Sequence, residues 1–316
     1  MSAPTRPPAG PAATAPGAPP PAATPEAQPP AAGRRRRPAR HWRKWPLVLA
    51  TAILLVIEIY PLIWLLLGSL KTQQEFMNRP TWALPQDWTN FDNYREAWDS
   101  GVARNLLNSV MAVFPSLAII VVFGTAAGFA LEVMVFKGRG ALLLVFLAGI
   151  MIPSQMILLP LFSAYFKTHL TGTVWPLILT YSATGLPLTV FMMATYFRAV
   201  PRELFEAATI DGASALRSFR SVAFPMMTNA IFTVGLVQFF FLWNDLLFAM
   251  TFTSGAGHAE LATVQVGLLN FQGRFGAVQY GPTMAAICVN VLITLVLYLF
   301  LNQRVMKGMA AGAVKG

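Results

Sequence analysis

The chain is short of charge, acid and cysteine. Only 11% of its residues are charged, and Asp and Glu together number 13 in 316. A water-facing surface ordinarily needs about a quarter charged residues, so the composition argues against a soluble globular domain. One cysteine, Cys288, excludes an internal disulfide and a cysteine-rich metal site. It lies in an apolar run and reads as a small packed hydrophobe. His41, His169 and His258 stand too far apart for metal-ligand spacing. No G-x-x-x-x-G-K-[ST] occurs, so the chain has no phosphate-cradling loop of its own, and no Ser/His/Asp set marks a catalytic centre.

What is there is apolar. Hydrophobic residues make up 55% of the chain and the mean hydropathy is +0.55. Runs of roughly 20 apolar residues cross about 30 Å of hydrocarbon as helix. They predict six spans near 46–70, 108–135, 141–165, 172–197, 226–250 and 282–302, an all-α polytopic membrane protein. Residues 1–33, with eleven prolines and eleven alanines, read as a disordered tail of polyproline character. The basic run "GRRRRPARHWRKW" follows, and the apolar stretch after it is too long for a cleaved signal core.

The net charge of +10 sits in short clusters beside the apolar runs. That placement favours membrane orientation over nucleic acid or anionic-lipid binding, and no nucleic-acid partner is expected. With the N-terminus inside, 17 Lys and Arg fall on inner segments and 6 on outer ones, so both termini are expected in the cytoplasm. The expected organisation is a tail over 1–45, a membrane domain over 46–302 with a cytoplasmic loop at 198–225, and a second tail over 303–316.

Two outer segments stand out. Residues 71–107 carry Trp82, Trp88 and Trp98, suited to the lipid interface or to a docking surface, with a short helix around 90–100. Residues 251–281 are glycine-rich and too long for a simple connector. Within the spans, Glu58, Gln155, Gln238, Asn244, Asp245 and Asn290 either bond neighbouring helices or line a path for a polar solute. Glu58, Asn244 and Asp245 are the path candidates, with Phe239, Phe240, Phe241 and Trp243 beside them. Pro115, Pro153, Pro160 and Pro187 suggest kinked or broken helices.

The polar segment between the fourth and fifth spans carries the clearest local signals. Pro201 suits a first helical position, "RELFEAATID" runs without a breaker, and Gly212 suits the left-handed turn that ends a helix. Ser214 suits the cap of a second short helix, and Pro225 the start of the next span. Small Ala207 and Ala208, apolar Leu204 and Phe205, and Glu206 at the rim form a plausible docking face. The residues alone leave two readings open: a surface for a partner, or a solvated loop closed by its caps.

"EAATIDGA" followed by Phe219 and "VAFP" resembles the EAA loop of type I ABC importer permeases. Glu206, Ala207, Ala208, Asp211, Gly212, Ala213, Phe219 and Pro225 match the pattern, while Phe224 stands where leucine is usual. The resemblance covers most of 46–316. "FLWNDLLFAM" and "QRVMKGMAAGAVKG" are similar to the second permease of maltose-type transporters in the carbohydrate-uptake branch. It implies a multi-pass subunit of the bacterial plasma membrane, half of a heterodimeric pore for a sugar. Its implied partners are a sister permease, two ATPase subunits using ATP and Mg, and an extracytoplasmic solute-binding protein. This chain itself would bind no cofactor. The matched residues would couple to an ATPase, and Asn270, Gln272, Arg274 and Phe275 of "NFQGRFG" would contact the binding protein; the plain alternative for the latter is a surface loop. Two other classes compete. An ion-coupled transporter would use Glu58 with Asp245 but leave the loop unexplained, and a membrane enzyme would need clustered catalytic groups.

Overall fold

The computed structural model describes residues 45–253, 259–269, 271 and 278–313. Its helices are α1 (Trp45–Ser69), α2 (Gln73–Asn78), α3 (Asp92–Ala97), α4 (Ala103–Glu132), α5 (Arg139–Ile150), α6 (Ser154–Lys167) and α7 (Trp175–Arg198). After these come α8 (Glu203–Ile210), α9 (Ala215–Ser218), α10 (Phe224–Met226), α11 (Thr228–Trp243), α12 (Leu247–Thr253), α13 (Val264–Leu269) and α14 (Tyr280–Ala313). Two compact units meet inside α1, one ending at Leu54 and the other starting at Leu55. The described part of the first, 45–54, is helical with every side chain exposed.

Four helices are long and apolar enough to cross a membrane, and up to six spans result if each of two bent pairs counts as one. α1, the stretch from α3 through α4, α7 and α14 are the four. Two expected spans are not straight rods. The run over 141–165 is α5 and α6, bent by 94°. Pro153 lies in the break and cannot donate to the α5 ladder, so the axis turns there. The run expected over 226–250 is also divided. A 75° bend separates the Ala215–Met226 stretch from α11, and residues 244–246 separate α11 from α12. Pro225 therefore lies in α10 before the bend, and the long helix starts at Thr228 rather than at the proline.

α4 and α7 form the central pair. They approach closely because α4 offers no side chain where α7 is bulky: a β-carbon at Gly124 would collide with Thr189, and one at Gly128 with Met193. Ser116 donates to the Ile178 carbonyl at 3.3 Å, and the buried Gln238 of α11 donates to Gly185 O and Thr189 Oγ1 at 3.1 and 3.0 Å. Trp243 donates from Nε1 to Asn290 Oδ1 at 3.0 Å, joining α11 to α14. Gln238 and Asn290 thus bond helices together, one of the two roles open to them.

The Trp-bearing segment is an ordered knot. Thr72-x-x-Glu75 forms a capping box: the Thr72 hydroxyl accepts from Glu75 N while Glu75 Oε2 accepts from Thr72 N at 2.8 Å. Glu75 Oε1 also accepts from Gln86 N at 2.7 Å. The buried Asn93 donates to the carbonyls of Ser69 and Lys71, and Phe76 stacks on Tyr280 at 5.4 Å. Trp82, Trp88 and Trp98 remain exposed, and the short helix expected around 90–100 is α3, which runs through a π-helical turn at Trp98–Val102 into α4.

Burial alone would raise the Glu75 carboxyl, but its hydrogen bonds from Thr72 and Gln86 outweigh that and hold it below the ordinary range. A depressed acid contributes stability that is complete above its ordinary pKa and lost as pH falls through the folded value. Protection of the amides at 72–90, taken against the intrinsic exchange rate at each pH, is expected to fall on acidification below about pH 4.3. The variant Glu75→Gln is expected to exchange faster at neutral pH and to lose that acid step.

Candidate functional site

The segment after α7 is built by local rules and anchored by aromatic packing. Its helix runs from Glu203 rather than Pro201: Leu204 N–H meets Pro201 O only at 3.4 Å, while Arg202 O accepts from Phe205 and Glu206 at 2.9 and 3.0 Å. At the far end Gly212 adopts φ +77°, its N–H bonds to Thr209 O at 3.0 Å, and Ala213 N–H bonds to Ala208 O at 2.9 Å. These two bonds make a Schellman cap, with glycine at the left-handed position and the two alanines where the accompanying apolar contact falls. Ser214 then caps α9 by accepting from Arg217 N at 3.4 Å. The E-A-A…D-G-A pattern is thus one helix, its stop and the next start.

Phe205 does not serve as a docking contact. It is 8% exposed and turns inward onto Phe129 at 5.8 Å, and Phe129 also meets Phe197 at 5.6 Å and Phe219 at 5.3 Å. The surface is left to others: Ile210 is 86% exposed, and Leu204, Leu216, Glu206, Ala207 and Asp211 are exposed too. A groove of about 610 Å³ runs between this segment and the end of α4, lined by Val133, Met134 and Val135 on one side and Glu206, Thr209 and Ile210 on the other. At its edge Arg198 and Glu132 pair at 3.1 Å and tie the ends of α7 and α4 together.

The bend between α5 and α6 forms a second cavity of about 430 Å³, open on the side where Ile150, Ile152 and Phe241 are exposed. Its walls are largely apolar, with Ser154, Tyr181, Thr184, Gln238 and Asp245 as the polar groups. Asp245 sits in the break after α11. It accepts from the Tyr181 hydroxyl at 2.9 Å and from Ala249 N at 3.0 Å, so it caps α12 while linking it to α7. Asn244 turns the other way, exposed, and meets Gln265 at 3.3 Å.

Of the three path candidates, the structure brings only Asp245 to the cavity. Glu58 lies exposed on α1, with no hydrogen bond or ion pair among the described residues. Tyr181, Thr184 and Ser154 carried no sequence signal, because a lone polar group in an apolar run becomes a wall only when helices bend around it. Asn270, Gln272, Arg274 and Phe275 lie outside the described residues. Among the described residues no three His, Cys, Asp or Glu side chains converge as metal ligands.

The chain thus has four to six candidate membrane spans with a capped loop at one end, and comparison with known proteins places it. Residues 120–306 match the family model described as binding-protein-dependent transport system inner membrane component, and the chain belongs to that family. It is similar to the diacetylchitobiose uptake system permease protein NgcG of Streptomyces coelicolor, 32% identical, with 82% of this chain and 85% of that protein covered. The sulfoquinovosyl glycerol transport system permease protein SmoH of Agrobacterium fabrum is 32% identical, with 85% and 93% covered. The fold matches a chain in the crystal structure of a bacterial ABC transporter involved in import of the acidic polysaccharide alginate, at TM-score 0.71 and 18% identity over 84% of this chain and 98% of that one. The protein is thus a membrane-embedded transport subunit.

Proposed function

We propose that the chain forms half of the pore of an ATP-driven importer for a sugar delivered by an extracytoplasmic binding protein. The observation that carries this reading is the segment at 203–218, rooted by Phe205 and Phe219 yet presenting Ile210 outward at 86% exposure. An apolar tip that its own chain leaves uncovered is suited to a socket on an ATPase subunit. Glu206, Ala207, Ala208, Asp211, Gly212 and Ala213 shape that knob, while Phe219 and Pro225 hold its base. In this reading ATP and Mg belong to two partner ATPases, and this chain supplies none of their chemistry.

The remaining partners follow the same logic. A sister permease completes the pore, six spans cross the bacterial plasma membrane, and both termini are cytoplasmic, in keeping with the Lys and Arg bias. Asn270, Gln272, Arg274 and Phe275 are assigned to contact with the binding protein. The cargo is assigned as a sugar because permeases similar to this one are named for diacetylchitobiose, α-glucoside and trehalose or maltose transport. Sugar uptake by cells expressing the whole importer is expected to survive an uncoupler and to vanish with an ATPase-dead partner. The opposite pair of results would assign the chain to ion-coupled transport instead.

A further inference from the structure

We propose that the cavity between the α5–α6 bend, α7 and α11 selects its solute by charge, so that the cargo is a neutral or cationic glycoside and not a uronate or a sulfonated sugar. The inference rests on the importer reading and adds the chemical class. Family likeness leaves that class open, because similar chains are named for neutral diacetylchitobiose and for sulfoquinovosyl glycerol, and a solved structure of the same fold for acidic alginate.

The cavity walls decide it. Asp245 is the one charged residue that lines them, and no Lys, Arg or His does so among the described residues. Its carboxylate is held by neutral donors only, Tyr181 OH at 2.9 Å and the backbone N–H groups of Ala249 and Phe248 at 3.0 and 3.5 Å. No ion pair within 4.0 Å cancels it among the described residues. Hydrogen bonds fix a carboxylate in place without removing its charge, and apolar walls weaken the screening that water would supply. An anionic solute would meet an uncompensated negative charge. A neutral sugar would meet hydroxyl and amide groups on Tyr181, Thr184, Ser154 and Gln238, suited to its own hydroxyls, in a space of about 430 Å³.

The charge of the cavity is measurable without knowing the sugar. In the complete importer, with Cys288 replaced by serine, Thr184→Cys places a thiol on the cavity wall. Its labelling is followed with a cationic trimethylammonium and an anionic sulfonate methanethiosulfonate reagent. Relative to the same pair of reagents on a small free thiol in solution, the cation is expected to gain at least about tenfold over the anion. Adding Asp245→Asn is expected to bring the ratio back to within about twofold of the free thiol, while Tyr181→Phe, which keeps the charge, retains the preference. A free-thiol ratio in the Asp245 protein overturns the proposal, as does a preference that survives Asp245→Asn. The first of these measurements stands even if Asp245→Asn fails to assemble.

An uptake experiment separates this inference from the reading beneath it. Cells expressing the importer are offered neutral glycosides and their uronate- or sulfonate-bearing counterparts. Accumulation of the neutral members supports the proposal. Accumulation of the acidic ones overturns it and leaves the sugar importer standing. If no sugar accumulates, the cargo class falls, and the labelling ratio still decides whether the cavity repels anions.

Discussion

Gly128→Leu is expected to leave almost no folded protein in the membrane. A β-carbon at Gly128 would stand 2.7 Å from the Met193 β-carbon, 3.0 Å from the Ala194 nitrogen and 3.1 Å from the Met193 carbonyl carbon. None of these atoms is the free end of a side chain, so relief requires α4 and α7 to separate. Overpacking a core ordinarily costs about 1–3 kcal/mol, and this site lacks the rotamer freedom that keeps the cost low. The separation would also break the α4–α7 bond from the Ser116 hydroxyl to the Ile178 carbonyl. Gly235→Ala is the control, since a β-carbon there meets only Val121 at an ordinary 3.7 Å. Size-exclusion chromatography of detergent extracts checks both: the alanine variant should match wild type, and a normal monodisperse yield of Gly128→Leu would contradict the close approach of the two helices.

The second large effect lies at the outward-facing loop. Ile210→Asp is expected to cut co-purification of the ATPase subunits by at least about tenfold, with the permease itself inserted and folded. Burying an isoleucine contributes about 1.5–3 kcal/mol, and each 1.4 kcal/mol is a factor of ten in binding. The 86% exposure of Ile210 means that its replacement removes nothing from its own chain's packing. Gly212→Val acts differently. Open space surrounds the position, so the cost is not a clash but the φ of +77°, about 1–2 kcal/mol for a residue with a side chain. It is expected to loosen the Schellman cap and weaken ATPase binding, as Glu206→Ala should by removing a rim charge. Phe205→Ala is the contrast, expected to lower the melting temperature of the permease through loss of the contact with Phe129. Pull-down beside thermal unfolding separates the cases, and undiminished ATPase capture by both Ile210→Asp and Gly212→Val would remove the coupling role.

The loop was legible because helix stops are local chemistry. Glycine at the left-handed position and serine at the cap are readable from a few residues, and both stand where the sequence puts them. The inward turn of Phe205 was not readable there, since it depends on Phe129, which is far away in the chain. Hydropathy located the apolar runs but is blind to direction: α5 and α6 sum to one span whether straight or bent by 94°. Pro153 was a hint of the bend, and Asp245 ahead of an apolar run was the signal of a helix start that an intramembrane reading masks. The capping box at Thr72-x-x-Glu75 is likewise local chemistry, readable from four residues.

The meeting of Phe129, Phe197, Phe205 and Phe219 has a mechanical meaning. It fuses the outward loop to the ends of α4 and α7, which are themselves locked along Gly124 and Gly128. A load applied at Ile210 therefore meets a stiff lever rather than a spring. Compliance is left to the places where the backbone ladder is interrupted, beside Pro153, at Met227 and around Asp245. In the proposed importer a stroke at the loop would be taken up at those joints, two of which border the chamber lined by Asp245.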